Sequence, residues 1–165
     1  MPDLRYPIGP EVKDTPLPEA IRDLEESPAR LRDAVRGLND AQLDTPYRPE
    51  GWTVRQVVQH LATSHAHGYT RCHFALIEDS PEVKGYKREM PDSAVAPVEV
   101  SLDLFDALQR RLACLFRSLT PEQWQRTLNH SQRGLMTVEQ AAVFLEWHGR
   151  HHVAHVTSLR ERMGL

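Results

Sequence analysis

The pattern Thr-x-x-Gln occurs three times in this chain, at Thr53, Thr120 and Thr137. In such a capping box the threonine hydroxyl accepts a hydrogen bond from the backbone N–H three residues later. The glutamine side chain in turn accepts one from the backbone N–H of the threonine. Each box therefore predicts the start of a helix, and Pro121 directly after Thr120 is typical of a first helical position.

Apolar residues that recur every three or four positions predict four long helices. The predicted helices span residues 19–38, 53–79, 99–119 and 137–162, with short helical turns at 39–43 and around Trp124. No segment shows the alternation of a strand, and residues 129–136 are predicted to form a loop. The pattern indicates an all-α protein, a four-helix bundle with short extra helices, in one domain over residues 1–165.

Two segments lack helical periodicity and are rich in proline. Residues 1–18 contain five prolines, which predicts an extended N-terminal arm. Residues 80–98 contain three prolines and are predicted to form a long connection. Connections of this length in compact domains often cover a functional site.

Composition excludes several classes of function. The net charge is −3 and there is no dense run of Lys or Arg, which argues against a nucleic-acid partner. No apolar run reaches the roughly 18 residues of a membrane span, and no secretory signal is evident, so we expect a cytoplasmic protein. The two cysteines, Cys72 and Cys114, are interpreted as reduced helix residues, too few for a cysteine-rich zinc site.

Four of the nine histidines lie within residues 148–155. They form two pairs with a spacing of four, His148 with His152 and His151 with His155. Residues four apart lie on the same face of a helix, one turn above each other. Either pair could therefore chelate a metal ion.

The apolar stripe of the last helix distinguishes the two pairs. The stripe formed by Val138, Ala141, Ala142 and Leu145 continues through His148 and His152 to Val156. An unpaired imidazole in a core costs about 1–3 kcal/mol, and a divalent metal ion would satisfy two of them together. We therefore predict that His148 and His152 bind metal, while His151 and His155 lie on the flank, at the surface or beside the ligands.

A third ligand is expected from the helix predicted at 53–79. Its histidines are His60, His65, His67 and His73. His60 shares a strip with Ser64 and Arg71, beside the apolar stripe, while His65 follows Leu61 by four and could also point inward. Spacing favours His60 and leaves His65 open. Three histidine ligands with one open position are typical of catalytic metal sites.

Several segments together resemble the DinB-like superfamily, most closely its YfiT branch. They are residues 6–9 (YPIG), 43–48 (LDTPYR), 51–61 (GWTVRQVVQHL) and 147–155 (WHGRHHVAH). Members of this branch are described as metal-dependent hydrolases and, in related proteins, as bacillithiol S-transferases. The resemblance covers nearly the whole chain.

The resemblance implies a four-helix bundle with one divalent ion, zinc or nickel, bound by His60, His148 and His152. It also implies a homodimer. Relatives often have a second histidine where this chain has Gln59, a difference that affects none of the three ligands.

Three functions remain open from the sequence. The first is a metal-dependent transferase that passes a low-molecular-weight thiol, such as bacillithiol, to an electrophile. The second is a metal-dependent hydrolase, and the third a non-enzymatic metal-binding stress-response module. The chain lacks a nucleophile motif and an H-E-x-x-H base, and Glu146 is two residues from His148 and points elsewhere, which favours transfer. Ser64 and Arg71 are candidate contacts for an anionic thiol; the alternative is interhelical or surface pairing.

Overall fold

The computed structural model describes residues 15–85 and 96–165. Its elements are α1 (Leu17–Val35), α2 (Asp40–Leu43), α3 (Val54–Ile77), β1 (Glu82–Val83), α4 (Val98–Arg117), α5 (Pro121–Trp124), β2 (Thr127–His130), β3 (Gly134–Thr137) and α6 (Val138–Met163). Helix α1 packs between α4 and α6, and α3 packs against the same two helices. The predicted all-α four-helix bundle is confirmed. Most of the predicted arm, 1–14, and part of the predicted connection, 86–95, lie outside the described residues.

The predicted capping boxes are all present and fix where the helices begin. At the start of α6, Gln140 N donates to Thr137 Oγ1 over 3.1 Å, and Thr137 N donates to the Gln140 side chain over 2.9 Å. The same reciprocal pair starts α3 at Thr53 and α5 at Thr120, and a further box starts α2 at Asn39. These caps fix the starts of α3 and α6, the two helices that carry the candidate ligands.

A small sheet corrects the prediction that residues 129–136 form a loop and that the chain has no strands. Strand β2 pairs in parallel with β1 and antiparallel with β3, with Leu128 opposite Met136. Strands of two to four residues are too short to produce a recognisable alternation in the sequence. Gly134, the first residue of β3, has φ +74° and adopts the left-handed conformation that the tight connection from β2 requires.

The bundle contains two apolar clusters with a polar layer between them. Along α6, Ala142 and Leu145 belong to the first cluster, and Val153 and Val156 belong to the second. Between them α6 carries buried histidines, and α3 carries buried histidines at the same level. The two helices approach closely there, because a Cβ atom on Gly68 would lie 2.5 Å from Leu145 Cδ2. The fold thus brings imidazoles from two helices together inside the bundle.

Arg160 links the end of α6 to the end of α1. Its Nη1 donates to the backbone oxygens of Ala34 over 3.1 Å and Arg36 over 2.7 Å, where the last carbonyls of α1 lack helical partners. We expect Arg160→Met to lower the free energy of unfolding by about 1–2 kcal/mol, because the apolar stem remains and the charged hydrogen bonds are lost. Urea denaturation measures the change. Arg22→Met, an exposed change on α1, is the control, and an equal loss in both variants would contradict this role.

Candidate metal centre

Three histidines converge in the polar layer between α3 and α6. His60 from α3 and His148 and His152 from α6 each offer a ring nitrogen, and these atoms lie within 4.8 Å of one another. The Nε2 atoms of His60 and His148 are 3.1 Å apart. All three side chains are at least 96% buried. Within residues 15–85 and 96–165, this is the one cluster of three or more His, Cys, Asp or Glu side chains with such spacing.

The chemistry of these residues fits a divalent metal ion. Both ring nitrogens of His152 are buried, and neither has a hydrogen-bond partner in the described structure. Burial, with the neighbouring histidines adding to it, holds the pKa of His148 and of His152 well below the ordinary value, so both rings are neutral. The neutral imidazole is the form that binds a metal. Zinc and nickel both accept such ligands.

Two aromatic side chains, Trp52 and Phe144, pack against the three rings. The Trp52 ring centroid lies 4.5 Å from that of His60 and 5.9 Å from that of His152, almost parallel to the latter. Phe144 lies 5.7 Å from His148 on another side. An apolar shell of this kind limits access of water and lowers the local dielectric constant. Trp52 was not among the site residues predicted from sequence, although it directly precedes the cap of α3.

His65, the alternative third ligand, is fully buried but lies outside the group of converging nitrogens. Its Nε2 is 3.4 Å from His148 Nδ1, the ring nitrogen of His148 that faces away from His60. Its Nδ1 is 2.9 Å from Gln109 Oε1. The structure thus brings His60 to the other two candidate ligands and places His65 behind one of them.

The second histidine pair of α6 lies on the flank, as predicted, but only one of its members is partly exposed. His151 is half-buried and stacks on Trp147, with 4.8 Å between ring centroids. His155 is 2% exposed and stacks on Tyr47 at 4.1 Å, so the surface alternative was wrong for His155. The segment before α3 covers this flank, which helix periodicity alone could not reveal.

The two candidate substrate contacts occupy different surroundings. Ser64 is buried one turn after His60, and its hydroxyl donates to Leu61 O over 3.2 Å. The Arg71 guanidinium donates to Lys84 O over 2.7 Å, a contact that ties α3 to the segment after β1. Structural hydrogen bonds therefore engage both side chains.

Neither cysteine joins the cluster, and Glu146 is held in an ion pair. Burial raises the pKa of the Cys72 thiol to about 12, and Cys114 lies on the exposed side of α4. Both cysteines are free, as predicted. Glu146 is buried, and its Oε1 accepts from Arg150 over 2.8 Å. In the described part of the chain, the ligand cluster itself contains no carboxylate.

Fold and site together define a helix-bundle protein with a buried three-imidazole centre. Residues 23–156 match the model of the DinB superfamily, and the chain belongs to this family. Proteins of Bacillus mycoides strain KBAB4 and Bacillus cereus strain B4264 are 44% and 45% identical to it over 99% of both chains. Both are named as candidate metal-dependent hydrolases.

Solved structures agree with this assignment. YfiT from Bacillus subtilis, described as a probable metal-dependent hydrolase with an unusual four-helix bundle topology, is 42% identical over 98% of both chains, with a TM-score of 0.88. A mycothiol-dependent maleylpyruvate isomerase shares the fold at 16% identity and a TM-score of 0.63, over 90% of this chain and 62% of that one. In residues 15–85 and 96–165, no helix has the length and apolar character needed to cross a membrane.

Burial of His65 predicts a pH dependence of stability. Desolvation lowers the pKa of His65 from 6.5 to about 4 in the folded protein. Between pH 4 and pH 6.5, His65 binds a proton in the unfolded chain but not in the folded one. The contribution of His65 to stability is therefore complete above pH 6.5 and declines as the pH falls toward 4. Between pH 7 and pH 5 we expect the metal-free protein to lose about 2 kcal/mol more than its His65→Gln variant. Urea denaturation at each pH tests this, and parallel pH profiles would contradict it.

Proposed function

We propose that this protein is a divalent-metal-dependent enzyme whose zinc or nickel ion is held by His60, His148 and His152. The observation that carries the proposal is the convergence of three buried imidazoles, one of which has no hydrogen-bond partner for either nitrogen. Without a shared partner this arrangement is costly in a bundle interior. When bound, the ion supplies Lewis acidity, which lowers the pKa of a coordinated water or thiol.

The reaction that we propose is transfer of a low-molecular-weight thiol, such as bacillithiol, to an electrophilic substrate. The Cys72 thiol is inert at neutral pH, and the Ser64 hydroxyl is engaged by a backbone carbonyl. One carboxylate oxygen of Glu146 accepts a hydrogen bond from Arg150. None of these groups belongs to the three-histidine cluster, so the attacking group is expected to arrive with a substrate. A thiol meets this need because its thiolate is a strong nucleophile once its proton is removed.

The comparisons support thiol chemistry and hydrolysis to different extents. A mycothiol-dependent isomerase shares the fold at 16% identity, and its dependence on a thiol is in line with the proposed reaction. The relatives at 44–45% identity are instead named for metal-dependent hydrolysis, which makes hydrolysis the second candidate function.

The chain's own residues would bind and shield the reactants. Trp52 and Phe144 pack against the imidazoles and would limit the access of water to a bound ion. Ser64 and Arg71 are proposed to contact an anionic thiol, in addition to their structural hydrogen bonds. A homodimer in the cytoplasm, with a small thiol and an electrophile as its partners, completes the proposal.

A conjugation assay tests the reaction. Zinc-loaded and nickel-loaded protein would be incubated with monochlorobimane and, separately, bacillithiol, mycothiol, glutathione and cysteine. We expect at least about a tenfold acceleration with one of these thiols, since activation of a bound nucleophile commonly exceeds this factor. The acceleration should disappear in His60→Ala and persist in His73→Ala, an exposed histidine on the same helix.

Two results would contradict thiol transfer. One is a rate no faster than the uncatalysed reaction with every thiol. The other is equal activity of wild type and His60→Ala. Metal-dependent hydrolysis of an activated ester such as p-nitrophenyl acetate, without any thiol conjugation, would favour the second candidate.

A further inference from the structure

A continuous chain of buried hydrogen bonds connects α1 to the back of His148. Ser27 Oγ donates to Leu24 O over 2.8 Å, and Gln109 Nε2 donates to Ser27 Oγ over 2.7 Å. Gln109 Oε1 lies 2.9 Å from His65 Nδ1, and His65 Nε2 lies 3.4 Å from His148 Nδ1. The chain therefore crosses from α1 to α4, then to α3, and ends on a candidate metal ligand of α6.

The direction of this chain is set at its α1 end. A backbone carbonyl can only accept, so the one hydroxyl proton of Ser27 is used by Leu24 O. Ser27 then offers Gln109 only lone pairs, which places the Gln109 amide nitrogen toward Ser27 and its oxygen toward His65. An amide oxygen also only accepts. His65 must therefore carry its proton on Nδ1.

The same logic continues through the two histidines. A neutral imidazole protonated on Nδ1 has a lone pair on Nε2. His65 Nε2 can then accept from His148 Nδ1, which places the proton of His148 on Nδ1. The lone pair of His148 is left on Nε2, the atom that lies 3.1 Å from His60 Nε2 in the cluster.

We propose that Ser27, Gln109 and His65 are positioning residues that hold His148 as the Nδ1–H tautomer and present its Nε2 lone pair to the metal ion. This inference rests on the proposed metal site. The orienting hydrogen bond on the far nitrogen of a histidine ligand fixes its tautomer and ring orientation. Here that role falls to a neutral histidine, itself oriented by a glutamine, rather than to a carboxylate.

Burial leaves the side chains of this hydrogen-bonded chain few alternative partners. His65 and Gln109 are fully buried, and Ser27 is 5% exposed, so water has little access to substitute for a missing partner. Phe105 packs edge-on against the His65 ring, with centroids 5.0 Å apart, and restricts its rotation. His152, by contrast, has no hydrogen-bond partner on either nitrogen in the described structure. Of the two candidate ligands on α6, His148 is thus the one whose far ring nitrogen is hydrogen-bonded in the described structure.

Nitrogen NMR of the wild-type protein tests the tautomers without any variant. Long-range ¹H–¹⁵N correlation spectra of the metal-free protein at pH 7.5 distinguish protonated from unprotonated ring nitrogens. We expect His65 and His148 both to be protonated on Nδ1, and zinc addition to shift His148 Nε2 while Nδ1 keeps its proton. Protonation of either ring on Nε2, or zinc binding through His148 Nδ1, would overturn the inference.

The zinc affinities of variants test whether Gln109 and His65 position His148. Gln109→Leu and His65→Leu are expected to weaken zinc binding by about 10- to 100-fold, the range typical of lost orienting partners. His65→Gln, whose side-chain oxygen can still accept from His148, should recover at least half of that loss on a logarithmic scale. Gln59→Leu is the matched control, because Gln59 is also buried and its amide nitrogen donates to Ala96 O, outside the chain of hydrogen bonds that leads to His148.

The outcomes separate this inference from the proposed function. If wild type binds zinc tightly and Gln109→Leu keeps both that affinity and the Nδ1–H tautomer of His148, the support is refuted while the metal site stands. If Gln59→Leu loses as much affinity as Gln109→Leu, the effect is general to buried glutamines, and the inference is again refuted. If the tautomers and affinities behave as expected but no thiol is conjugated, the support stands and thiol transfer fails.

Discussion

Alanine at His60, His148 or His152 is expected to weaken zinc or nickel binding by more than about 100-fold, beyond the range typical of residues that only orient a ligand. Each substitution removes one of three converging nitrogens, and two imidazoles seldom retain a divalent ion in competition with a chelator. Competition with a chromophoric chelator measures the dissociation constant, and metal analysis after gel filtration measures the stoichiometry.

His151→Ala is the control for this experiment. His151 belongs to the same helix and the same four-histidine stretch, yet it stacks on Trp147 rather than joining the cluster. The affinity of the His151→Ala variant for zinc should stay within about threefold of wild type, a change in binding free energy below about 1 kcal/mol. Equal losses in His148→Ala and His151→Ala would show that the division of the stretch into two roles is wrong.

The His152→Leu variant is expected to be more stable than wild type when metal is absent, and insensitive to metal when it is present. His152 is buried with both nitrogens unpartnered, so an apolar side chain of similar size removes a desolvation cost of about 1–3 kcal/mol. Most core substitutions destabilise a protein. A gain here would therefore indicate that the histidine is retained for a reason other than folding.

Zinc should reverse the order of stability, so that wild type becomes more stable than His152→Leu. At a free zinc concentration of about 1,000 times Kd, wild type gains about 4 kcal/mol, which raises Tm by about 8–16 °C for a chain of this length. His152→Leu should show no such shift. Calorimetry with and without zinc measures both quantities. A metal-free His152→Leu protein less stable than wild type, or one that zinc still stabilises, would contradict the account.

The sequence was sufficient to predict the helices because local signals define them. The capping boxes at Thr53 and Thr137 set the starts of α3 and α6. The stripe through Leu145 placed His148 and His152 on the inner face but missed the burial of His155. The short sheet was not predicted, because strands such as Thr127–His130 contain too few residues for a periodic pattern. Its position depends on pairing with Glu82–Val83, a contact distant in the sequence.

The candidate site was predictable in part for the same reason. Helical spacing placed His148 and His152 on the inner face, but it could not decide between His60 and His65 as the third residue, a choice that the family resemblance supplied. In the structure, His60 contributes to the cluster, and His65 lies behind His148. Contacts from other elements, such as Gln109 against His65, have no signature in the spacing of α3 or α6.

Anomalous diffraction from crystals grown with zinc tests the central claim most directly. Data collected above and below the zinc absorption edge locate the ion without any assumption about the protein. We expect one strong anomalous peak per chain, bounded by the side chains of His60, His148 and His152. A peak between His151 and His155, or no peak in the polar layer between α3 and α6, would contradict the assignment of these three histidines as the metal centre.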